Sequence, residues 1–351
     1  MSNSVTNHNY KEMVHSIVVP ESLSDEEKRK RYQPLLNYLN TSTPNKLYRF
    51  RSCKERAFHE FDQDILGFAP ASEMNDDFDG MLYFDKERIK AGLMNTVTPE
   101  NIVKIVDLFS HGHIPAEIKN NLPESLIVHS IDTFRHVALN ELRSFTDGFI
   151  AFATNGYEKR IAFLRHLTQD QKIACLSKSI NSAAMWGYYG NNGTGFALSY
   201  DLRGNIFDKY CISPVIYGKE RFDATEFATW LLQQLLLQQI LDPRVKELYP
   251  NFRHIIPCPD QFMPTKVMIH KSNRWRHEQE WRLVFYEKDG QNEKYPNVKE
   301  KPTAIYLGRN ISAINEKILR NIAAEKGIPV YKMTVQEDSP TYNLFPQRVN
   351  S

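Results

Sequence analysis

The residues best suited to chemistry lie in the block Trp275-Arg276-His277-Glu278-Gln279-Glu280-Trp281-Arg282, which leads into the apolar run Leu283-Val284-Phe285-Tyr286. Two glutamates separated by one residue, at the mouth of a predicted strand, project from the same face. Such a pair can divide labour. One carboxylate stabilises developing positive charge while the other orients or deprotonates a nucleophile. The plainer account is a solvated strand face on which Glu278 and Glu280 pair with Arg276 and Arg282, and the block by itself favours that account.

Signatures of other chemistries are missing. There is no GxxxxGK[ST] and no GxGxxG, so neither a P-loop nor a dinucleotide-binding turn is announced. HExxH, GxSxG and the deaminase pattern HxE…PCxxC are absent too, and Cys258, after Pro257, has no second cysteine three residues on. His111-Gly112-His113 has metal-compatible spacing but no third ligand near it in the sequence, and reads as a surface loop. Asp76, Asp77 and Asp79 form an acidic cluster beside Gly80, for which a turn is a simpler account than a divalent cation.

The 351 residues suit one large domain or two small ones, and a hydrophobic fraction of 41% supplies a core. The 44 basic and 42 acidic residues leave a net charge of +2. That balance argues against a wholesale basic footprint for nucleic acid while leaving room for a locally basic cleft. Cys53, Cys175, Cys211 and Cys258 are scattered, which fits a reducing cytoplasm and excludes a simple zinc ribbon. The polar N-terminus has no signal-like apolar segment. The longest apolar stretch, 229–237, is broken by glutamines and too short to span a bilayer. A soluble cytoplasmic protein with no membrane partner is expected.

The elements that must position the glutamates follow from local pattern. The first twenty residues read as loose. Ser24-Asp25-Glu26-Glu27 then opens a capped helix running to about Leu39. Alternating Lys46-Leu47-Tyr48-Arg49-Phe50-Arg51 reads as a strand, followed by a helix over 54–61 and a strand over 65–69. Residues 100–143 read as helical throughout, an insertion or lid beside the cleft. From 149 onward strands dominate, at 149–152, 173–176, 195–200, 214–217, 280–286, 303–307 and 330–334. Helices over 224–241 and 312–326 interrupt them. The order implies an α+β fold with a mainly antiparallel sheet. The expected organisation is an N-terminal helical extension (1–45), one α+β domain (46–335) with the insertion at about 100–143, and a C-terminal tail (336–351).

Four blocks in this order carry a resemblance. They are Leu47-Tyr48-Arg49-Phe50-Arg51-Ser52, the stretch 68–79 containing Asn75-Asp76-Asp77-Phe78-Asp79, the stretch 185–198 beginning Met185-Trp186-Gly187-Tyr188-Tyr189-Gly190, and 275–282. Together they resemble a widespread bacterial family of unknown function with the series "YR … FNDPFE … MWAHYG … GxxxxF … EWR". The resemblance spans roughly 46–335, less well over 100–143. This chain departs from it in lacking the proline of Asn-Asp-Pro-Phe-Glu and in having Asp79 for the glutamate. The order of blocks is also similar to the plan of ADP-ribosyltransferases, which share an Arg or His, a Ser-x-Ser strand end and a Glu-x-Glu or Gln-x-Glu.

That likeness implies an ADP-ribosyltransferase-like sheet core and a glycosyl-transfer reaction on NAD. Glu280 would stabilise the ribose as nicotinamide leaves, and Glu278 would activate the acceptor. Arg49 and Arg51 would hold the phosphates, Ser177 and Ser179 the glutamate or the ribose, and Tyr188 and Tyr189 would wall the nicotinamide. Glu280→Gln would lower cleavage by a factor on the order of a hundred or more with little change in folding. The partners implied are NAD, an acceptor nucleic acid or protein, and an antitoxin or other regulator of a toxin or phage-defence effector. Two other readings stand beside it. One is a nucleic-acid-binding or processing protein whose Lys266, Lys271, Arg274 and Arg276 contact phosphates; the other is a non-catalytic interaction module. Packing accounts for Trp186, Trp275 and Trp281. Arg49 and Arg51 can alternatively pair with the acids at 76–79.

Overall fold

The Ser24 hydroxyl accepts the Glu27 amide while the Glu27 carboxylate accepts the Ser24 amide, so the Ser-x-x-Glu spacing forms the reciprocal cap that starts the helix Asp25–Ser42. The computed structural model describes residues 2–95, 157–203, 210–240, 257–285 and 293–349. In chain order its first elements are α1 (Ser2–Ser16), α2 (Asp25–Ser42), β1 (Leu47–Arg51), α3 (Glu55–Asp62), β2 (Ile65–Gly67), β3 (Ala69–Pro70) and α4 (Lys86–Asn95). After these come α5 (Tyr157–Leu167), β4 (Lys172–Ser177), α6 (Ala183–Tyr188), β5 (Phe196–Tyr200), β6 (Tyr210–Pro214), β7 (Ile216–Gly218) and α7 (Thr225–Ile240). The last are α8 (Met263–Met268), β8 (His270–Ser272), a 3-10 helix (Asn273–Glu278), β9 (Glu280–Phe285), β10 (Asn297–Lys299), β11 (Ala304–Leu307), α9 (Ala313–Lys326), β12 (Val330–Thr334) and β13 (Phe345–Arg348).

The fold is α+β, built on a mixed, mostly antiparallel sheet. Among the described residues nine strands join it, in the order β13-β12-β11-β5-β1-β4-β9-β6, with β3 pairing beside β4. β11 and β12 pair in parallel; β1, β4, β5, β6, β9 and β13 pair antiparallel to their neighbours. One face packs α1, α2, α3 and α9 through Val14, Leu35, Leu39, Phe61 and Leu319. The opposite face carries α4, α5 and α7 at one end (Ile89, Leu164, Phe227) and α6 with Trp186 at the other.

Two expectations change here. The first twenty residues are not loose: Tyr10, Val14 and Ile17, spaced four and three apart, make an apolar stripe that is buried in the core, and Tyr10 stacks on Tyr38 at 4.7 Å. The tail does not end outside the sheet, since Phe345–Arg348 pairs antiparallel with β12. The readings of a helical 100–143 and of a strand at 149–152 fall outside the described residues.

The feature that positions the site is a split in the sheet. β1 pairs with β5 over five consecutive positions, 47–51, but with β4 only at Tyr48–Ser177. β4 turns instead to β9, pairing from Ile173–Val284 to Ser177–Glu280. Beyond Tyr48 and Ser177 the strands diverge, and residues of both line one cavity. Gly195 holds the other side of β1: a Cβ there would run into the Arg51 carbonyl, so only glycine lets the two chains approach.

Candidate active site

The cavity, of about 360 Å³, opens in this split. Strand alternation sets its two ends. On β1, Arg49 and Arg51 project with Leu47 towards the α3 layer, whereas Tyr48 and Phe50 project towards Trp186. On β9, Trp281 and Leu283 enter the α1–α3 core, which sends Glu280 and Arg282 to the opposite face. The cavity thus joins a guanidinium end to a carboxylate end.

Glu278 and Glu280 do not share a face by simple strand alternation. Glu278 ends the 3-10 helix, Glu280 starts β9, and Gln279 between them is left-handed at φ 44° and ψ 49°. The turn is clamped from outside. The Ser177 hydroxyl donates to the Glu278 carbonyl at 2.6 Å and accepts the Ser179 amide at 3.1 Å. The Lys178 amide donates to the Gln279 carbonyl at 3.0 Å, and the Glu280 amide donates to the Tyr217 hydroxyl at 2.9 Å.

Both glutamates then meet Lys271. Its Nζ lies 2.7 Å from Glu278 Oε2, 3.3 Å from Glu280 Oε2 and 3.7 Å from Asp79 Oδ2. Arg282 donates to Glu280 through Nε at 2.8 Å and Nη2 at 3.1 Å, and to Asp79 at 2.7 Å. All five side chains are buried. Three acids face two bases, so full ionisation leaves one excess negative charge among buried side chains.

The environment resolves that excess by separating the carboxyls. Burial by itself would raise Glu280, but Arg282 and Lys271 beside it hold it down at about 2. Burial and then the Glu280 charge push Glu278 up, against the pull of Lys271. Asp79 also rises, chiefly by burial. Tyr189 donates its hydroxyl to Glu278 and accepts Asn75 at 2.6 Å; burial and Glu278 raise its phenol, so it remains a donor. Burial, and then Glu280, raise the Cys175 thiol, which leaves it a poor nucleophile.

At the other end Arg51 pairs with Glu60 at 2.9 Å, as does Arg56 at 2.8 Å. Arg49 donates from Nη2 to the Gly67 carbonyl at 2.6 Å. Its Nε and Nη1 are buried without a hydrogen-bond partner among the described residues. Arg49 also lines the cavity, and burial lowers its guanidinium from the usual arginine range.

Arg49, Arg51, Ser177, Tyr189, Glu278 and Glu280 therefore line a common cavity. Ser179 and Tyr188 are not among its lining residues. Ser179 meets Ser177 through its backbone, and Tyr188 is 70% exposed, because adjacent residues at a helix end diverge and Tyr189 takes the inward direction. Ser177 holds the glutamate turn through its carbonyl rather than through a carboxylate. Neither arginine pairs with the acids at 76–79, since Asp79 is taken by Arg282 and Lys271. The solvated-face account of the glutamates fails on burial, although its Glu280–Arg282 pair is present. The phosphate-contacting face loses two members, because Lys266 is buried on Asp260 at 2.8 Å and Lys271 is enclosed by carboxyls. Sequence reasoning missed Lys271 as the hub of the glutamates. Its only sequence signal is proximity along the chain, and β8 and the 3-10 helix must fold before it points inward.

Residues 185–283 match a protein family described as a protein of unknown function (DUF2971). The match takes in the 185–198 block and both glutamates; the blocks around Arg49 and Asp79 lie outside it. No curated protein and no solved structure matches the chain. Among the described residues no helix is long and apolar enough to cross a membrane.

Proposed function

We propose that this protein is an NAD-dependent ADP-ribosyltransferase-like enzyme acting on a nucleic-acid or protein acceptor. The observation that carries the reading is the two-ended cavity, with carboxyls driven apart in proton affinity at one end and the guanidinium groups of Arg49 and Arg51 at the other. A dinucleotide needs both. Its pyrophosphate takes the guanidinium end, where Arg49 and Arg51 line the cavity. Its nicotinamide ribose takes Glu280, which stays ionised as positive charge grows at C1′. Glu278, with its tighter hold on a proton, is the acid–base group on the acceptor side.

In the transfer step the acceptor's nucleophilic atom bonds to C1′ as the C1′–N bond breaks. The bonding pair leaves with nicotinamide, which departs neutral, and the nucleophile's proton passes to Glu278. Lys271 and Tyr189 fix the Glu278 carboxylate through its two oxygens. The similar order of blocks in ADP-ribosyltransferases supports the same assignment. A covalent mark on nucleic acid or protein suits a toxin or phage-defence effector restrained by an antitoxin or other regulator.

The test is to incubate the full chain with adenylate-labelled NAD and single-stranded DNA, RNA or protein acceptors, following nicotinamide release by chromatography. Release, with label on one acceptor class and loss of both in Glu280→Gln, is expected. Nicotinamide release no greater than in buffer with every acceptor overturns the reading.

A further inference from the structure

A row of aromatic rings from two distant segments leads out of the cavity. Tyr189 lines the cavity and touches Glu278. Tyr188 follows at 6.5 Å between ring centroids, then His277 at 5.9 Å from Tyr188, then Trp275 at 6.0 Å from His277. Lys271 Nζ sits 4.9 Å from the Trp275 centroid, which ties the outer ring to the carboxyl cluster. Tyr188 is exposed, and Trp275 and His277 are half-buried. Single exposed aromatics are ordinary on a protein surface; here four rings, tilted at 61°, 40° and 35° from one to the next, follow in a row beside a cavity.

The charged residues on the segment that carries the outer rings are basic up to His277. Arg274 and Arg276 alternate with Trp275 and His277 along the 3-10 helix, and both are exposed. Lys178, also exposed, borders it through its amide bond to Gln279. Over 273–277 there is no acid, and Glu278 turns inward to Lys271. Ring faces interleaved with guanidinium groups match unpaired bases and their phosphates. A duplex would hide the base faces that the rings require.

We infer that the row Tyr189, Tyr188, His277 and Trp275, with Arg274 and Arg276, is the acceptor subsite, and that the acceptor is single-stranded nucleic acid modified on a base. The chemistry rests on the NAD reading above; the binding does not. A base stacked on Tyr188 stands next to Tyr189 and Glu278, where an N–H of the base bonds to C1′ and its proton passes to Glu278.

Binding is measured without NAD, by fluorescence anisotropy of short labelled single strands against the full chain. The wild type should prefer single strands to duplex, with affinity falling as salt rises. Tyr188→Ala should weaken binding by about ten-fold while Tyr188→Phe keeps it, the ring rather than the hydroxyl being used. Arg274→Ala with Arg276→Ala should flatten the salt dependence. With NAD added, Tyr188→Ala should lose transfer to the strand. Absence of NAD cleavage in every variant defeats the enzyme reading and leaves the anisotropy result standing. Equal binding by Tyr188→Ala and wild type, equal affinity for duplex, or labelling of a protein acceptor that Tyr188→Ala does not reduce, overturns the acceptor assignment.

Discussion

Glu280→Gln removes a charge while keeping the shape of the side chain, and the geometry allows both its effects to be worked out. In the wild type Asp79, Glu278 and Glu280 face Lys271 and Arg282. In the variant two acids face two bases, so no net charge is stranded. Arg282, fully buried, nevertheless exchanges an ionic partner at 2.8 and 3.1 Å for a neutral amide. A charge-assisted hydrogen bond is worth about 1.5–3 kcal/mol, less than the 3–5 kcal/mol that follows when a buried charge loses its partner altogether. A loss of roughly 2 kcal/mol is expected, against the roughly 5–15 kcal/mol of an ordinary domain, so the variant folds but melts earlier. This revises the view from sequence that folding would hardly change. Catalysis should fall by about a hundred-fold or more, as when a preorganised electrostatic group is removed. The assay is nicotinamide release per mole of folded protein, with the folded fraction read from near-ultraviolet circular dichroism. Cleavage within about three-fold of wild type per folded molecule would show that Glu280 carries no catalytic charge.

Glu278→Gln should keep slow NAD hydrolysis and lose transfer, measured as nicotinamide release against labelled acceptor; equal loss of both would put Glu278 on the donor side. Arg49→Met should raise the KM for NAD about ten-fold or more, with Tm moving little because the lost bond to the Gly67 carbonyl is offset by removal of donors that lack a partner; an unchanged KM would free Arg49 from anion binding. Because burial, and then the Glu280 charge, raise Glu278 from its ordinary value, transfer rate should climb with pH as Glu278 ionises, and the climb should move to lower pH in Glu280→Gln, as a pH–rate profile of each will show. His270, lowered to about 4 by burial and then His15, contributes stability that is complete above about 6.5 and is lost as pH falls from there towards 4. That loss amounts to roughly 3 kcal/mol, and His270→Gln should flatten the acid limb of the melting curve. Gly195→Ala should destabilise by about 1–3 kcal/mol, read in a denaturant titration, since the added methyl meets the Arg51 carbonyl.

Much of the fold is written locally. The Ser24–Glu27 cap, the alternation over Leu47–Arg51 and the apolar period of Ala313–Lys326 each act within a few residues, and each element forms where the pattern puts it. Part of the candidate site is legible for the same reason: Glu278 and Glu280 stand out by type and spacing, whereas Arg49, Arg51 and Ser177 enter only through the resemblance. Tertiary structure alone decided which of them meet. The split between β1 and β4 gathers them into one cavity, and a left-handed Gln279, rather than strand period, brings both glutamates to Lys271. The opposite protonation tendencies of Glu278 and Glu280 arise from Arg282, Lys271 and burial, none of which acts until strands distant in sequence are packed. Tyr188 and Tyr189 are adjacent and chemically alike, yet one faces the glutamate and the other solvent, because a helix end gives neighbouring side chains different directions and the cavity lies on only one of them.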